Sequence, residues 1–130
     1  MHIFVDSSFI IANSRKEDES YERAVELNNS VSQNRVISDL ILSETLTYIK
    51  FHDTPEKARE LGQKLTSLDG TIILLPTLND ILYAIEAVGK YKKLSFCDAM
   101  TVAQMKNNGI MQILSFDADF DLIPGIERIH

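Results

Sequence analysis

With 130 residues, 45% of them hydrophobic and 25% charged, the chain has the length of one domain with one core and the makeup of a soluble globular protein. A net charge of −6 argues against a surface that grips nucleic acid through basic residues alone. Apolar runs no longer than TIILL and FIIA exclude a bilayer-spanning helix, and a single cysteine, Cys97, excludes an intrachain disulfide and fits a reducing cytoplasm.

The N-terminus MHIFVDSS carries Asp6 early and has no basic region, so it is not expected to be a signal peptide. IFVD reads as a short buried strand ending on Asp6, and SSFIIANS as a short helix or turn. A polar helix is expected over roughly 18–33, with Tyr21, Ala24, Val25, Leu27 and Val31 as its apolar side. RVIS (35–38) is a second strand, and Ser38 is placed to cap the helix DLILSETLTYIKF. In DTPEKARELGQKLTSL, Thr54 is the N-cap, Pro55 the first helical residue and Glu56 a first-turn acid, with Asp69-Gly70 as the stop. TIILLP is a third strand. TLNDILYAIEAVGKY has a helical apolar period at 78, 81, 82, 85 and 88. SFCDAMTVAQMKNNG is a further helix stopped by Asn108-Gly109, MQILSF a fourth strand and IERI a short fifth. Strands alternating with helices predict an α/β fold: a single domain over residues 1–130 with a mainly parallel four- or five-stranded sheet flanked by helices.

Such sheets bind ligands beyond the carboxyl ends of their strands, where Asp6 and Asp117 fall. Taken singly, the acids have ordinary explanations. Glu44, with Leu40, Ile41, Thr47 and Tyr48 one turn away, reads as the solvated edge of an amphipathic helix, although on so mixed a face a desolvated carboxylate needs a donor or cation. Asp98 stands three residues after Ser95, the spacing of a capping box. Asp119 and Asp121 read as solvated loop residues. Together, an acid ends strand one, another lies in the helix after strand two, another opens the penultimate helix, and another ends strand four. Carboxylates gathered this way cannot all ionise without a cation. All-oxygen ligation suits Mg²⁺ or Mn²⁺, one ion or two, able to activate water against a phosphodiester.

Competing motifs fail on particular residues. D-x-D-x-D at 117–121 opens an EF-hand loop, but the sixth and twelfth positions hold Leu122 and Arg128 instead of Gly and Glu. Asp6-Ser7-Ser8 lacks the D-x-D of a haloacid-dehalogenase phosphatase, and the chain lacks the paired acids and late Lys of a phospho-receiver. The five glycines are isolated, so no phosphate loop is present. No His stands in a motif that would serve Cys97 as a nucleophile; a buried small hydrophobe is the simpler reading.

In FVDSSFIIA, VISDLILSETLTY, LSFCDAMTVAQMKNNG and ILSFDADFDLIPGIERI, taken in order, the chain resembles the PIN-domain family and, within it, VapC-like toxin ribonucleases. The resemblance implies a central parallel sheet, a carboxylate pocket for Mg²⁺ or Mn²⁺, and endonucleolytic RNA cleavage. It also implies homodimers and a cognate antitoxin that holds the toxin inactive. Asp6, Glu44, Asp98 and Asp117 match the family's acidic quartet, and Ser7 or Ser8 its small hydroxyl residue. Asp119 and Asp121 are candidates for an outer shell; Asp117 is preferred as the ligand because it follows the strand most directly. Setting the quartet aside takes the net charge from −6 to −2, and Lys90, Lys92 and Lys93 in GKYKK are candidates to meet RNA phosphate. The apolar residues Val25, Leu27, Leu42, Leu46, Ile49, Phe51, Leu61 and Leu65 exceed the needs of a small sheet edge, and the resemblance makes part of them a groove for an antitoxin helix. Alternative functions are a non-catalytic PIN-like binding module and a housekeeping RNA-processing nuclease.

Overall fold

A computed structural model describes residues 1–67 and 70–130. The elements are β1 (His2–Val5), α1 (Ser7–Ser14), α2 (Tyr21–Ser30), β2 (Asn34–Ser38), α3 (Asp39–His52), α4 (Pro55–Ser67), β3 (Thr71–Leu74), α5 (Leu78–Lys90), α6 (Phe96–Asn107), β4 (Gln112–Leu114), a 3₁₀ turn (Ala118–Leu122) and β5 (Glu127–Ile129). One sheet has the order β3-β2-β1-β4-β5 with every pairing parallel. It is five-stranded, the upper of the two counts expected. The polar helix expected over 18–33 is shorter, Tyr21–Ser30, and Asp69 of the expected Asp69-Gly70 stop lies outside the described residues.

The central strands are buried because both faces carry helices. Ile3, Phe4, Val36, Ile113 and Leu114 are at most 1% exposed, as the continuous apolar runs of a parallel sheet require. The outer strands β3 and β5 are only partly covered. Capping chemistry sets the helix starts: Ser38 Oγ accepts the Ile41 N–H, and Ser95 Oγ accepts the Asp98 N–H. Asp98 does not complete a reciprocal box. The full box is at Thr77 and Asp80, and Asn107 donates to the same Asp80 carboxylate at 2.6 Å, tying α6 to α5. Asn108-Gly109 does end α6, with Gly109 at φ 65°. Gly62 allows α3 and α4 to approach: a Cβ there would stand 3.0 Å from Leu46 Cδ1.

The strand order places the ligand crevice. From β1 the chain first adds strands on one side, β2 and β3, then returns to add β4 and β5 on the other. The connections therefore diverge between β1 and β4, leaving a gap beyond their carboxyl ends. The residues following β1 are Asp6, Ser7 and Ser8; those following β4 are Ser115, Phe116 and Asp117.

Candidate metal centre

Asp6 lies at the floor of this gap and is 3% exposed. Its N–H donates to the Leu114 carbonyl at 3.0 Å, so the β1–β4 ladder extends into the site. Its Oδ2 accepts from Ser8 Oγ and from Ser115 Oγ, both at 2.7 Å. Burial raises the Asp6 pKa, opposed by these hydroxyls, and Glu44 adds a further push upward. Ser115 was not among the residues singled out from sequence. Its only signal there was its place at the end of the fourth strand, two residues before Asp117.

Glu44 reaches the gap from the second turn of α3. Glu44 is exposed, on the solvated edge of its helix. What marks it is a donor, Ser7 Oγ, which hydrogen-bonds Glu44 Oε1. Ser7 is 4% exposed, so adjacent serines serve different acids, Ser8 that of β1 and Ser7 that of α3.

Asp98, in the first turn of α6, is half-buried, and its pKa is pushed up to about 7. Desolvation is the largest cause, followed by the charges of Asp6 and Asp117, with a smaller push from Glu44. Asp98 thus feels all three other members of the quartet, although they come from distant points in the chain. Cys97 is held as a thiol by burial and by the same acids, its pKa raised by desolvation first and then by Glu44. A thiol kept protonated is a poor nucleophile, in line with the reading of Cys97 as a small, partly buried side chain.

Asp117 begins the 3₁₀ turn. Its N–H donates to Ser115 Oγ at 3.0 Å, and its Oδ1 accepts the Asp119 N–H at 2.9 Å. Asp119 follows in the same turn. Asp121 turns elsewhere: Arg128 Nε and Nη2 clamp its two oxygens at 2.9 and 2.8 Å. This pair holds the Asp121 pKa down. Arg128 also donates to the Ser115 carbonyl at 3.3 Å, so the ion pair braces the loop that carries Asp117. Lys90 closes α5, and Lys92 and Lys93 lie in the turn before α6; all three are exposed.

The donor set suits a hard divalent cation. It consists of carboxylate and hydroxyl oxygens, and no basic side chain appears among the groups that shift Asp6 or Asp98. Among the described residues, no three His, Cys, Asp or Glu side chains stand close enough, as oriented here, to share one ion. The charge and chemistry of the donor set fit a cation.

The PIN-domain profile matches residues 3–126. The ribonuclease VapC13 of Mycobacterium tuberculosis is 40% identical over 50 residues, a stretch that covers 38% of this chain and 38% of that protein's length. The crystal structure of VapC20 of M. tuberculosis, described as a sarcin–ricin loop cleaving toxin, superposes with a TM-score of 0.86 at 26% identity, covering 92% of this chain and 93% of that one. A toxin–antitoxin complex from Klebsiella pneumoniae shares the fold, with a TM-score of 0.68 at 17% identity over 96% of this chain and 95% of that one.

Proposed function

This chain belongs to the PIN-domain family, and we propose on that premise that it is a metal-dependent endoribonuclease acting as the toxin of a toxin–antitoxin pair. The observation that carries the reading is the electrostatic coupling of Asp98 to Asp6, Asp117 and Glu44 in a crevice without a basic neighbour among the groups that shift it. A catalytically inert relative has no use for a half-buried acid held among three others.

Asp6, Asp98 and Asp117, with Glu44 at the rim, are the residues that would hold one or two Mg²⁺ or Mn²⁺ ions. Such an ion, when bound, lowers the pKa of water and offsets charge on the phosphodiester. The chain's own residues prepare the site. The Ser7 hydroxyl fixes Glu44. The 3₁₀ turn and its Arg128–Asp121 brace hold Asp117 at the end of β4. Lys90, Lys92 and Lys93, just before the helix that carries Asp98, offer exposed positive charge for the RNA backbone.

The antitoxin would enter a groove of about 540 Å³ between α1 and α4, floored by Phe9, Ile10, Ile49, Leu61 and Leu65. Of the surplus apolar residues named from sequence, Ile49, Leu61 and Leu65 line this groove. Leu27 is core, and Phe51 is 75% exposed at the end of α3. A second copy would cover α5, where Leu78, Leu82 and Ile85 are 53–69% exposed opposite the buried Ala84 and Ala87. A helix apolar on both sides is ordinarily buried on both, and an uncharged stripe meets its own copy without repulsion.

The test is cleavage of RNA by the purified chain in Mn²⁺ or Mg²⁺ and in EDTA. The sarcin–ricin loop, the stated target of the VapC20 relative, is the first substrate to assay. Cleavage that depends on the metal, and that stops when the product of the neighbouring small reading frame is co-purified, is the expected result. Undiminished cleavage in EDTA would overturn the metal centre. A neighbouring product that neither binds nor inhibits would remove the toxin role and leave the nuclease.

A further inference from the structure

Four of the five arginines are held by acids: Arg15 by Asp53 and Glu17, Arg23 by Glu26, Arg59 by Glu56 and Arg128 by Asp121. Arg35 is the exception. In a chain with 19 acids against 13 Lys and Arg, no carboxylate among the described residues reaches it. Its guanidinium bonds only neutral oxygens at the end of α2. Nη1 donates to Asn28 Oδ1 at 2.6 Å, and Nη2 to the carbonyls of Asn28 and Val31 at 3.1 and 3.3 Å. These bonds cap the helix, but they leave the Nε–H and one Nη1 hydrogen without an acceptor among the described residues. Burial pushes the Arg35 pKa down, with no acid to oppose it.

This half-buried cation lines the groove between α1 and α4. Lys57 and Lys64 stand on the α4 wall with Glu60 between them in sequence, and the groove's other acid, Asp53, is clamped by Arg15. The groove thus carries three cations against one uncommitted acid, although the chain as a whole stands at −6. Its floor is apolar, with Phe9 and Ile10 only 2% and 6% exposed. A phosphate backbone gains nothing from such a floor, whereas the apolar side of a helix does.

We propose that the segment filling this groove is an amphipathic helix of a partner protein that carries a carboxylate beside its apolar side, and that this carboxylate pairs with Arg35. The proposal rests on the antitoxin reading above and adds the charge that the partner must present. A planar guanidinium with donors to spare suits a carboxylate. Lys57 and Lys64, exposed at the rim, steer further acids of the partner toward the groove more than they hold them. The pairing also selects. A helix of the same apolar spacing with Lys or Arg at the contact position brings two cations together in a half-dry groove and is rejected.

The experiment is calorimetric titration of the full chain with the purified product of the neighbouring small reading frame, alongside thermal melts, for the wild type, Arg35→Gln, Arg35→Lys and Leu61→Asp. Arg35→Gln is expected to weaken binding by at least about ten-fold, Arg35→Lys by less because the charge stays, and Leu61→Asp to abolish it by charging the floor. Replacing the partner's acids one at a time by their amides should find one whose loss weakens binding to the wild type by at least about ten-fold and to Arg35→Gln no further. If Arg35→Gln binds the partner as the wild type does while Leu61→Asp does not bind, this proposal alone falls. It also falls if Arg35→Gln loses affinity for single-stranded RNA and keeps its affinity for the partner, since the groove then serves nucleic acid. If Leu61→Asp binds like the wild type, the groove assignment falls and the proposal with it. A partner that does not bind the wild type removes the toxin reading as well. Should Arg35→Gln fail to fold, the scan of the partner's acids against the wild type decides, and the absence of any acid with that effect overturns the proposal.

Discussion

Removing the charge of Asp98 should stabilise the metal-free protein. Its pKa is raised from 3.8 to about 7, chiefly by desolvation and by the charges of Asp6 and Asp117. At about 1.36 kcal/mol per pH unit, a shift of this size corresponds to about 4 kcal/mol of destabilisation of the ionised form for a fully dry group. Asp98 is only half-buried, and solvent screening reduces this to about 2 kcal/mol. Asp98→Asn also forfeits the favourable contact of an acid with the start of α6, about 0.5 kcal/mol. The net gain is about 1.5 kcal/mol, or about 5 °C in melting temperature for a chain of this length. Because the folded pKa is the raised one, the stability linked to the proton is complete below the unfolded pKa and is lost as pH rises through about 7. The advantage of Asn is therefore full at pH 8, about one third as large at pH 5, and absent below about pH 4. Melts in EDTA at pH 8 and pH 5 measure this, and a repeat with Mn²⁺ should reverse the order, since the wild type gains a ligand and the variant does not. A variant less stable than wild type at pH 8 in EDTA, or equally advantaged at both pH values, would refute the argument from repulsion.

Chelation should abolish RNA cleavage while the far-ultraviolet circular dichroism stays that of the folded chain, because the core of β1, β2 and β4 contains no site residue; loss of the spectrum would make the ion structural. Asp117→Asn should remove most single-turnover activity and Asp121→Asn little, with Asp119→Asn between them. Asp121→Asn should instead lower the denaturant midpoint of unfolding, since the charge-assisted pairing to a nearly buried Arg128 is weakened; equal activity losses at all three positions would contradict the assignment. If α5 pairs two copies as proposed, the wild type should sediment as a dimer and Leu82→Glu, on the exposed side of α5, as a folded monomer; an unchanged sedimentation coefficient would refute that pairing.

The α/β class, the strand positions and most helix starts were legible because they depend on neighbours in the chain. Apolar runs bounded by turn residues mark β1, β2 and β4, and Ser38, Ser95 and Asn108-Gly109 act within one turn of themselves. The helix expected over 18–33 came out short because polar residues at its ends gain nothing from continuing: Asp18 caps back on the Ser20 N–H, and Val31 is already extended. The order of the acids along the chain also pointed to the crevice, since an acid directly after a parallel strand has only one end of the sheet to occupy.

What the chain order alone did not decide was partnership across space. Glu44 owes its place to the Ser7 hydroxyl and not to a buried face. Asp121 looked equivalent to Asp117 and Asp119 by spacing, yet Arg128, seven residues on, claims it, because β5 returns alongside β4 and brings a guanidinium to that point. Ser115 carried no charge and stood in no motif; its role exists only because β1 pairs with β4 and so places it against Asp6. Local sequence determines which segments become strands and helices, through backbone propensity and the burial of apolar side chains. Which oxygen meets which donor is determined by strand pairing between residues about 110 positions apart, and only the folded sheet sets that distance.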